Sequence, residues 1–181
     1  MTTNSRPALT DTATLRLRAR KHIEDGAVTS GYDGDRAAVL AMLNDALATE
    51  LVCVLRYKRH HFMAEGIHAS AVAAEFLDHA NEESGHADRL AKRIVQLGGA
   101  PDFSPDSLSA RSHAEYVEGS TLEDMIRENL VAERIAIDSY REMIAALGDT
   151  DPTTRRMLIE ILEVEEEHAD ELASLHHGMQ D

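Results

Sequence analysis

The stretch that decides the fold is LIEILEVEEEHADEL, residues 158–172, where acidic residues and one histidine interrupt a run of apolar side chains. Its leucines and isoleucines recur at the three- and four-residue spacings of one helix face, and Glu165 and His168 fall on that same face. A carboxylate buried without a partner is unfavourable by several kcal/mol. The stretch therefore predicts a core helix that directs polar groups inward for a chemical reason.

The same pattern occurs a second time in the chain. The stretch NEESGHADR contains Glu83 and His86 at the same three-residue spacing as Glu165 and His168. Each Glu-x-x-His sequence also has a mid-helix glutamate upstream, Glu50 in the first half and Glu133 in the second. Corresponding residues are 82 or 83 positions apart, which indicates an internal repeat of a helix pair.

These residues form the ligand set of a two-metal carboxylate site. Four carboxylates and two imidazoles that converge from four helices suit two iron or manganese ions. A third sequence of this type, Glu65 to His68, is interpreted as accidental, because Gly66 places it in a link between helices. The candidate metal-ligating and catalytic residues are therefore Glu50, Glu83, His86, Glu133, Glu165 and His168.

Glycines and prolines divide the chain into helical blocks. The blocks are predicted over about 11–25, 35–64, 69–97, 120–148 and 151–178. Ser120 and Glu123 predict a capping box, and Pro152 a helix start. Because every block is helical, the sequence predicts an all-α fold. The blocks of the bundle are joined by two short links and one long connection, which contains a possible short helix over 107–117. We expect an antiparallel four-helix bundle of ferritin-like topology with one long crossover over 35–178, preceded by a basic helix and loop over 1–34.

Charge and composition narrow the functional classes. The net charge is −15 in 181 residues, which argues against a generally basic nucleic-acid binder. Residues 1–25 carry +2 and the rest of the chain −17. The single cysteine, Cys53, forms no internal disulfide and is interpreted as a small buried side chain. The N-terminus resembles no secretory signal and no apolar run has the length of a membrane span, so we expect a cytoplasmic protein.

Three stretches resemble helices of bacterioferritin, and the resemblance covers nearly all of residues 35–177. They are LNDALATELVCVLRY, NEESGHADR and MLIEILEVEEEHADEL. The resemblance implies that one iron is held by Glu50 and His86 and the other by Glu133 and His168. It also implies that Glu83 and Glu165 bridge the two ions and that Tyr57 lies beside the site.

Two departures from bacterioferritin make the chain more similar to the Dps-like ferritins. Ser84 stands where bacterioferritin has its haem-ligating methionine, so we expect no haem. The chain ends at Asp181, whereas bacterioferritin continues into a fifth helix. Dps-like ferritins combine a bacterioferritin-type site with the smaller shell of the DNA-binding protein from starved cells. This resemblance implies a homododecameric cage.

The expected function is that of a ferroxidase that oxidises Fe²⁺ with O₂ or H₂O₂, with two iron ions per subunit, and stores Fe³⁺ as mineral. One alternative is a peroxidase, oxygenase or di-manganese catalase on the same bundle. The rubrerythrin type is excluded because it needs Cys-x-x-Cys pairs. A second alternative is a DNA-protecting protein that binds DNA through the basic residues of the N-terminal helix. We favour the interpretation that this helix is solvated or packs against a subunit. The basic residues are Arg6, Arg16, Arg18, Arg20 and Lys21.

Other polar residues have milder interpretations. The stripe Glu160, Glu163, Glu167 and Glu171 is expected to be solvated surface or, alternatively, the lining of a cavity that collects iron. His79 precedes Glu83 by one turn and is a candidate for an iron access route. His79 and the following histidines are also expected at the surface or in support of ligands: His60, His61, His176 and His177.

Overall fold

The computed structural model describes residues 9–67 and 69–179, in which helices are joined by turns and loops and no strand occurs. Four helices are long and two are short. They are α1 (Thr12–Arg18), α2 (Arg36–Met63), α3 (Ala69–Gln96), α4 (Leu108–Arg111), α5 (Leu122–Leu147) and α6 (Pro152–Gly178). The predicted all-α class is confirmed.

The four long helices form two hairpins that pack into one bundle. Helix α2 packs along α3, and α5 packs along α6. The hairpins meet through contacts of α2 with α5 and of α3 with α6. The connection from α3 to α5 runs back along the bundle and includes α4, which packs on α2. This is the ferritin-like four-helix bundle with one long crossover that the sequence predicts.

Side-chain caps begin three of the long helices. The carboxylate of Asp35 accepts from Ala38 N in α2, and that of Asp151 accepts from Thr154 N in α6, with Pro152 in the first turn as predicted. The predicted capping box at Ser120 is wrong by one residue. Thr121 caps α5, and its hydroxyl accepts from Asp124 N at 3.1 Å. The reason is that Asp124, rather than Glu123, turns back and accepts from the hydroxyl of Ser120 at 2.5 Å.

The core has two apolar clusters with a polar layer between them. One includes Leu43 and Leu47 of α2 and Leu90 and Ile94 of α3, together with the end of α5 and the start of α6. The other lies beyond the mid-helix glutamates and includes Phe76, with residues near the start of α5 and the end of α6. Along every long helix the predicted ligands fall between the two clusters. The apolar clusters thus enclose the polar layer from both ends.

The N-terminal helix is shorter than predicted. It ends at Arg18 rather than near residue 25, and a 3-10 helix follows at Ile23–Asp25 after His22 adopts a left-handed φ of 50°. None of the seven residues of α1 is buried, and Leu15 is 51% exposed. A short helix without a core to cover has little to stabilise it, since tertiary packing supplies most helical stability. The domain boundary between residues 34 and 35 stays a prediction.

The crossover is held to the bundle by polar contacts rather than by a long helix. Helix α4 ends at Arg111 instead of near residue 117, because Ser112 is extended. Beyond it, the guanidinium of Arg56 donates to Glu115 O at 3.0 Å, and His60 Nε2 is 3.1 Å from Val117 O. The expectation that His60 lies at the surface or supports a ligand is therefore wrong. It is fully buried and anchors the crossover.

Helix α2 has the composition of a core helix. Within the part of the chain that the structure describes, it alone is long and apolar enough to cross a membrane, with a mean hydropathy of 1.8 over an 18-residue window. Of that window, 56% is buried against the rest of the bundle. Burial in the bundle is thus the physical reason for its hydropathy.

Candidate metal centre

The six predicted side chains meet in the polar layer. Helices α2 and α5 supply Glu50 and Glu133, while α3 and α6 each supply a glutamate and a histidine one turn apart. None of the six is more than 5% exposed. The residues related by the sequence repeat therefore lie next to one another, because the two hairpins pack with their polar faces together.

The ligand atoms form two overlapping groups. One contains Glu50 and His86 and the other Glu133 and His168, and both contain Glu83 and Glu165. Within each group the nearest carboxylate and imidazole atoms all lie within 4.8 Å of one another. This grouping has the form of two ion positions that share two carboxylates.

Both histidines direct the same ring nitrogen into the centre. His86 Nδ1 is 2.9 Å from Glu165 Oε1, 3.3 Å from Glu83 Oε2 and 3.5 Å from a Glu50 oxygen. His168 Nδ1 is 3.6 Å from Glu83 Oε1 and 3.8 Å from Glu165 Oε2. The ring centroids are 6.4 Å apart. The histidines therefore lie on either side of the two shared glutamates.

Several ligand atoms make no well-directed hydrogen bond, although carboxylates and imidazoles lie close together. Among the described residues of this layer, six buried atoms have none: Glu50 Oε2, Glu83 Oε1, Glu133 Oε2, both carboxylate oxygens of Glu165, and His168 Nδ1. Buried polar atoms are nearly always paired, so a cluster of exceptions needs a cause. Oxygen and imidazole donors of this number fit two iron or manganese ions well.

The buried carboxylates do not all remain ionised when cations are absent. Burial, with the charge of Glu83, raises the pKa of Glu50 and of Glu165 well above its usual value, and raises the pKa of Glu133. Burial also opposes ionisation of Glu83, but hydrogen bonds with Glu50, His168 and His86 hold its pKa well below the usual value. The centre therefore concentrates more negative charge than its own groups can hold without cations.

The two histidines of the centre carry positive charge that balances part of the negative charge of the carboxylates. Burial disfavours an imidazolium ion, but hydrogen bonds with Glu50 and Glu83 outweigh it and raise the pKa of His86 to about 10. Burial likewise opposes the charge on His168, but its hydrogen bond to Glu83, which accepts, and the negative charge of Glu133 raise the pKa of His168 to about 9. Both rings are therefore protonated near neutral pH in the metal-free protein.

Glu82 orients His168 and was not anticipated from the sequence. Its carboxylate lies 2.6 Å from His168 Nε2, on the side of the ring opposite to Nδ1. A ring N–H held by a carboxylate directs the other nitrogen and its lone pair towards the metal. Glu82 adjoins Glu83 in sequence, but adjacent residues point to different helix faces, so spacing gave no signal.

Two tyrosines complete the layer. Tyr57, seven residues after Glu50, donates its hydroxyl proton to Glu133, and Tyr140, seven residues after Glu133, donates to Glu50. Both rings are buried, and burial raises the pKa of each hydroxyl well above its usual value. Tyr57 was expected beside the site by resemblance. Tyr140 was missed in this role, although its place in the repeat was the signal.

His79 is buried beside the centre. It is 1% exposed, and its ring stacks on that of His168 with centroids 4.0 Å apart. Its Nδ1 lies 3.2 Å from the Tyr57 hydroxyl, and its Nε2 lies 2.9 Å from Glu171 Oε2. The stripe of glutamates on α6 is thus not uniform, since Glu171 contacts a buried histidine while Glu160 pairs with arginines at the surface.

Other candidate residues are not among the ligand atoms of the centre. Glu65 lies in the link after α2, while His68 is outside the described residues, as is Arg6. Ser84 is exposed on α3. Cys53 is buried beside Arg56, which donates to its sulfur at 3.5 Å, and burial raises the pKa of this thiol well above its usual value. A thiol of raised pKa is a packing group rather than a nucleophile.

Known proteins share this arrangement of helices. The sequence profile of the ferritin-like domain matches residues 40–180. The chain is 26% identical over 134 residues to a bacterioferritin from Desulfovibrio desulfuricans, covering 74% of this chain and 71% of that protein. It is 31% identical over 142 residues to a nutrient stress-induced DNA-binding protein from Nostoc, covering 76% of each chain.

Solved structures agree with this relationship. The dodecameric thioferritin of Bacteroides fragilis, a bacterioferritin-related protein, superposes with a TM-score of 0.78 at 29% identity, covering 81% of this chain and 88% of that one. The family profile covers well over half of the chain, and relatives of both the bacterioferritin and the Dps type resemble it. This protein is therefore a member of the ferritin-like family, of the bacterioferritin and Dps-like kind.

Proposed function

We propose that this protein is a cytoplasmic ferroxidase that binds two Fe²⁺ ions per subunit as substrate and stores the Fe³⁺ product as mineral inside a cage. The observation that carries the proposal is the set of six buried ligand atoms that make no well-directed hydrogen bond and lie between two apolar clusters. Two Fe²⁺ ions in such a site supply electrons to O₂ or H₂O₂.

The proposed ligands follow the two overlapping groups. Glu50 and His86 bind one ion, Glu133 and His168 bind the other, and both ions share two carboxylates, Glu83 and Glu165. Bound cations replace the protons that these groups hold in the metal-free protein. The charge on the four carboxylates is then balanced in a site where water is largely excluded.

Neighbouring residues prepare the ligands for this role. The tyrosine hydroxyls donate to one oxygen of Glu50 and of Glu133, so the other oxygen of each would be available to bind an ion. Glu82 holds the N–H of His168 away from the centre. Because these contacts exist before an ion arrives, little reorganisation accompanies binding.

The proposal is tested by removing one proposed ligand of the centre. Replacing Glu83 or His168 by Ala should abolish rapid Fe²⁺ oxidation, followed by absorbance under air or with H₂O₂, while circular dichroism shows an intact bundle. Glu163→Ala, an exposed glutamate of α6, is the matched control for the loss of one carboxylate. Oxidation at the wild-type rate in Glu83→Ala contradicts the assignment.

Storage is separated from the other activities of such sites by the fate of the metal. Storage requires that many more than two iron ions per subunit remain with the protein after aerobic loading, visible as a mineral core by electron microscopy. A peroxidase consumes peroxide without a core, and a di-manganese catalase releases O₂ from H₂O₂. Rapid peroxide turnover without mineral therefore contradicts storage.

Haem is not part of the proposed site. Ser84 offers an exposed hydroxyl rather than a soft sulfur ligand at the position where the bacterioferritin resemblance would place the haem methionine. We expect protein expressed with added haem to lack a Soret band. A stoichiometric bis-methionine haem spectrum is the result that contradicts this, and it would direct attention to Met42 or Met63.

A storage function requires a closed assembly, and we propose a homododecamer. The relative of known structure from Bacteroides fragilis is a dodecamer. Large apolar side chains also remain exposed at the end of α2 and in the following link, including Phe62 at 78% and Ile67 at 97%. Exposed apolar surface of this kind is typical of subunit contacts.

DNA binding is a second candidate, favoured by the name of the Nostoc relative and by the exposed basic residues of α1. The charge of −17 on the remaining chain repels phosphate, so we expect weak binding at physiological salt. If the protein binds duplex DNA at about 150 mM salt and loses this binding when residues 1–25 are deleted, the expectation of weak binding is wrong and DNA protection is favoured.

A further inference from the structure

A further group of potential ligands lies beside the six-residue centre. It contains Glu75 and His79 of α3 and Glu171 of α6, whose nearest carboxylate and imidazole atoms lie within 4.8 Å of one another. His79 Nε2 is 2.9 Å from Glu171 Oε2 and 3.5 Å from Glu75 Oε1. Ligand atoms about 2.1 Å from a shared ion are about 3.0–3.4 Å apart in octahedral or tetrahedral geometry. The three residues are therefore spaced for one ion.

The orientation of His79 places one ring nitrogen among the two carboxylates. Tyr57 donates its hydroxyl proton to Glu133. The Tyr57 oxygen is then left to accept from His79 Nδ1, at 3.2 Å. His79 Nε2 then faces the carboxylates of Glu75 and Glu171. Two carboxylates and a ring nitrogen from a side chain that is only 1% exposed thus converge on one position, and all three can bind a cation there.

The group lies in a pocket that leads to the centre. The pocket has a volume of about 390 Å³, and its lining also includes three exposed acidic residues: Asp78, Glu82 and Glu167. Its buried side is formed by the stacked rings of His79 and His168. An acidic pocket concentrates cations from solution. The pocket thus connects exposed carboxylates with a proposed ligand of the two-metal centre.

We propose that Glu75, His79 and Glu171 form a mononuclear site for a divalent first-row transition ion, separate from the two-metal centre. One imidazole and two carboxylates suit Fe²⁺, Mn²⁺ or Zn²⁺. Its role as the position from which ions pass to the centre rests on the proposed ferroxidase function. Whether the site binds an ion does not depend on the ferroxidase function, because its three ligands differ from the six residues of the centre.

The test counts Mn²⁺ ions without relying on activity. Metal-free protein is dialysed anaerobically against MnCl₂, and bound manganese is measured per subunit. The variant Glu75→Gln/Glu171→Gln should bind about one ion fewer than wild type. The control Asp88→Asn/Glu163→Gln removes the same charge from exposed positions of the same two helices and should bind as wild type does. Crystals soaked in MnCl₂ should show an anomalous peak between the three residues.

A further variant separates this site from the two-metal centre. Glu165→Gln disables the proposed centre and should retain the single ion, visible as the hyperfine-split resonance of an isolated Mn²⁺ ion. The proposal is overturned if the double variant binds as much manganese as wild type. In that case the contacts of His79 with the two glutamates are hydrogen bonds and not the spacing of metal ligands. If Glu165→Gln also loses the single ion, the site is not separate from the two-metal centre. The ferroxidase proposal is decided independently, by the rate at which Glu83→Ala oxidises Fe²⁺.

Discussion

Tyr57 and Tyr140 occupy equivalent places in the two helix pairs and reach across the bundle in opposite directions, each donating its hydroxyl proton to the mid-helix glutamate of the other pair. The internal repeat thus extends beyond the six candidate ligands. It is also broken at one point, because Tyr57 contacts His79, whereas the position equivalent to His79 in the second pair is the buried, apolar Ile161. The centre is therefore bordered by a polar side chain at His79 and by an apolar side chain at the equivalent position, Ile161.

This broken symmetry predicts different effects of two equivalent substitutions. Tyr57→Phe and Tyr140→Phe each remove a donor from a buried carboxylate and should lower the unfolding free energy of the metal-free protein by about 1–3 kcal/mol. Tyr57→Phe should also weaken Mn²⁺ binding at the single-ion site, since it frees His79 Nδ1. Denaturant unfolding and manganese dialysis measure the two effects. Identical manganese binding by both variants would show that Tyr57 does not orient His79.

The contact of Glu82 with His168 predicts a loss of metal affinity without a loss of fold. Glu82→Gln keeps the shape of the side chain but removes the charge that holds the imidazole N–H. The affinity of the two-metal centre should fall about 10–100-fold, as for other residues that orient metal-binding histidines. Competition with a chelator measures it, with the exposed Asp88→Asn as control. An unchanged affinity would assign Glu82 to the surface alone.

The raised pKa values of the two ligand histidines predict proton release when metal binds. With pKa values of about 10 and about 9, His86 and His168 are protonated at pH 7 in the metal-free protein, so about two protons per subunit must leave them as Nδ1 binds an ion. Fewer are released as the pH rises through these values. Calorimetric titration in buffers of different ionisation enthalpy gives the number. A binding enthalpy independent of buffer at pH 7 contradicts the prediction.

The start of α6 predicts a pH-dependent contribution to stability. Asp151 accepts from Thr154 N and from the guanidinium of Arg93, whose Nη2 lies 2.9 Å away. Burial opposes ionisation, but the hydrogen bonds of Thr154 and the charge of Arg93 hold the pKa of Asp151 below its usual 3.8. The resulting stability is complete above that value and is lost as the pH falls through the lower, folded pKa.

Asp151→Asn should therefore lower the unfolding free energy at pH 7 by about 2–4 kcal/mol, because it leaves a largely buried arginine without its carboxylate. The difference from wild type should shrink in strong acid. Thr121→Ala, which removes only the exposed cap of α5, is the control and should lose about 1 kcal/mol at every pH. Equal losses in the two variants at pH 7 would show that the Arg93 pair contributes nothing beyond capping.

The proposed assembly predicts a particular mass. A dodecamer has twelve times the subunit mass of 19.9 kDa, which is half the mass of a shell of twenty-four subunits. Light scattering coupled to size-exclusion chromatography separates two masses that differ by this factor. The mass of twenty-four subunits would mean a shell of bacterioferritin size, and the mass of a dimer would contradict storage in a closed cage.

The sequence by itself determined the bundle and the composition of its polar layer. Helix periodicity places Glu83 with His86 and Glu165 with His168 on inward faces, and the glycines and Pro152 set the ends of the long helices to within a few residues. These are local properties, because they depend on residues three or four positions apart. The repeat then indicated Glu50 and Glu133 as partners before any distance was known.

Only the tertiary structure decided which other groups meet these residues. The contacts of Glu82 with His168, of Tyr140 with Glu50 and of His79 with Glu171 join residues 86, 90 and 92 positions apart. They depend on how far each helix slides and turns against its neighbour, and no sequence spacing encodes that. The same reason explains the short α1. Its apolar residues have helical spacing, but the fold provides no buried surface to receive them.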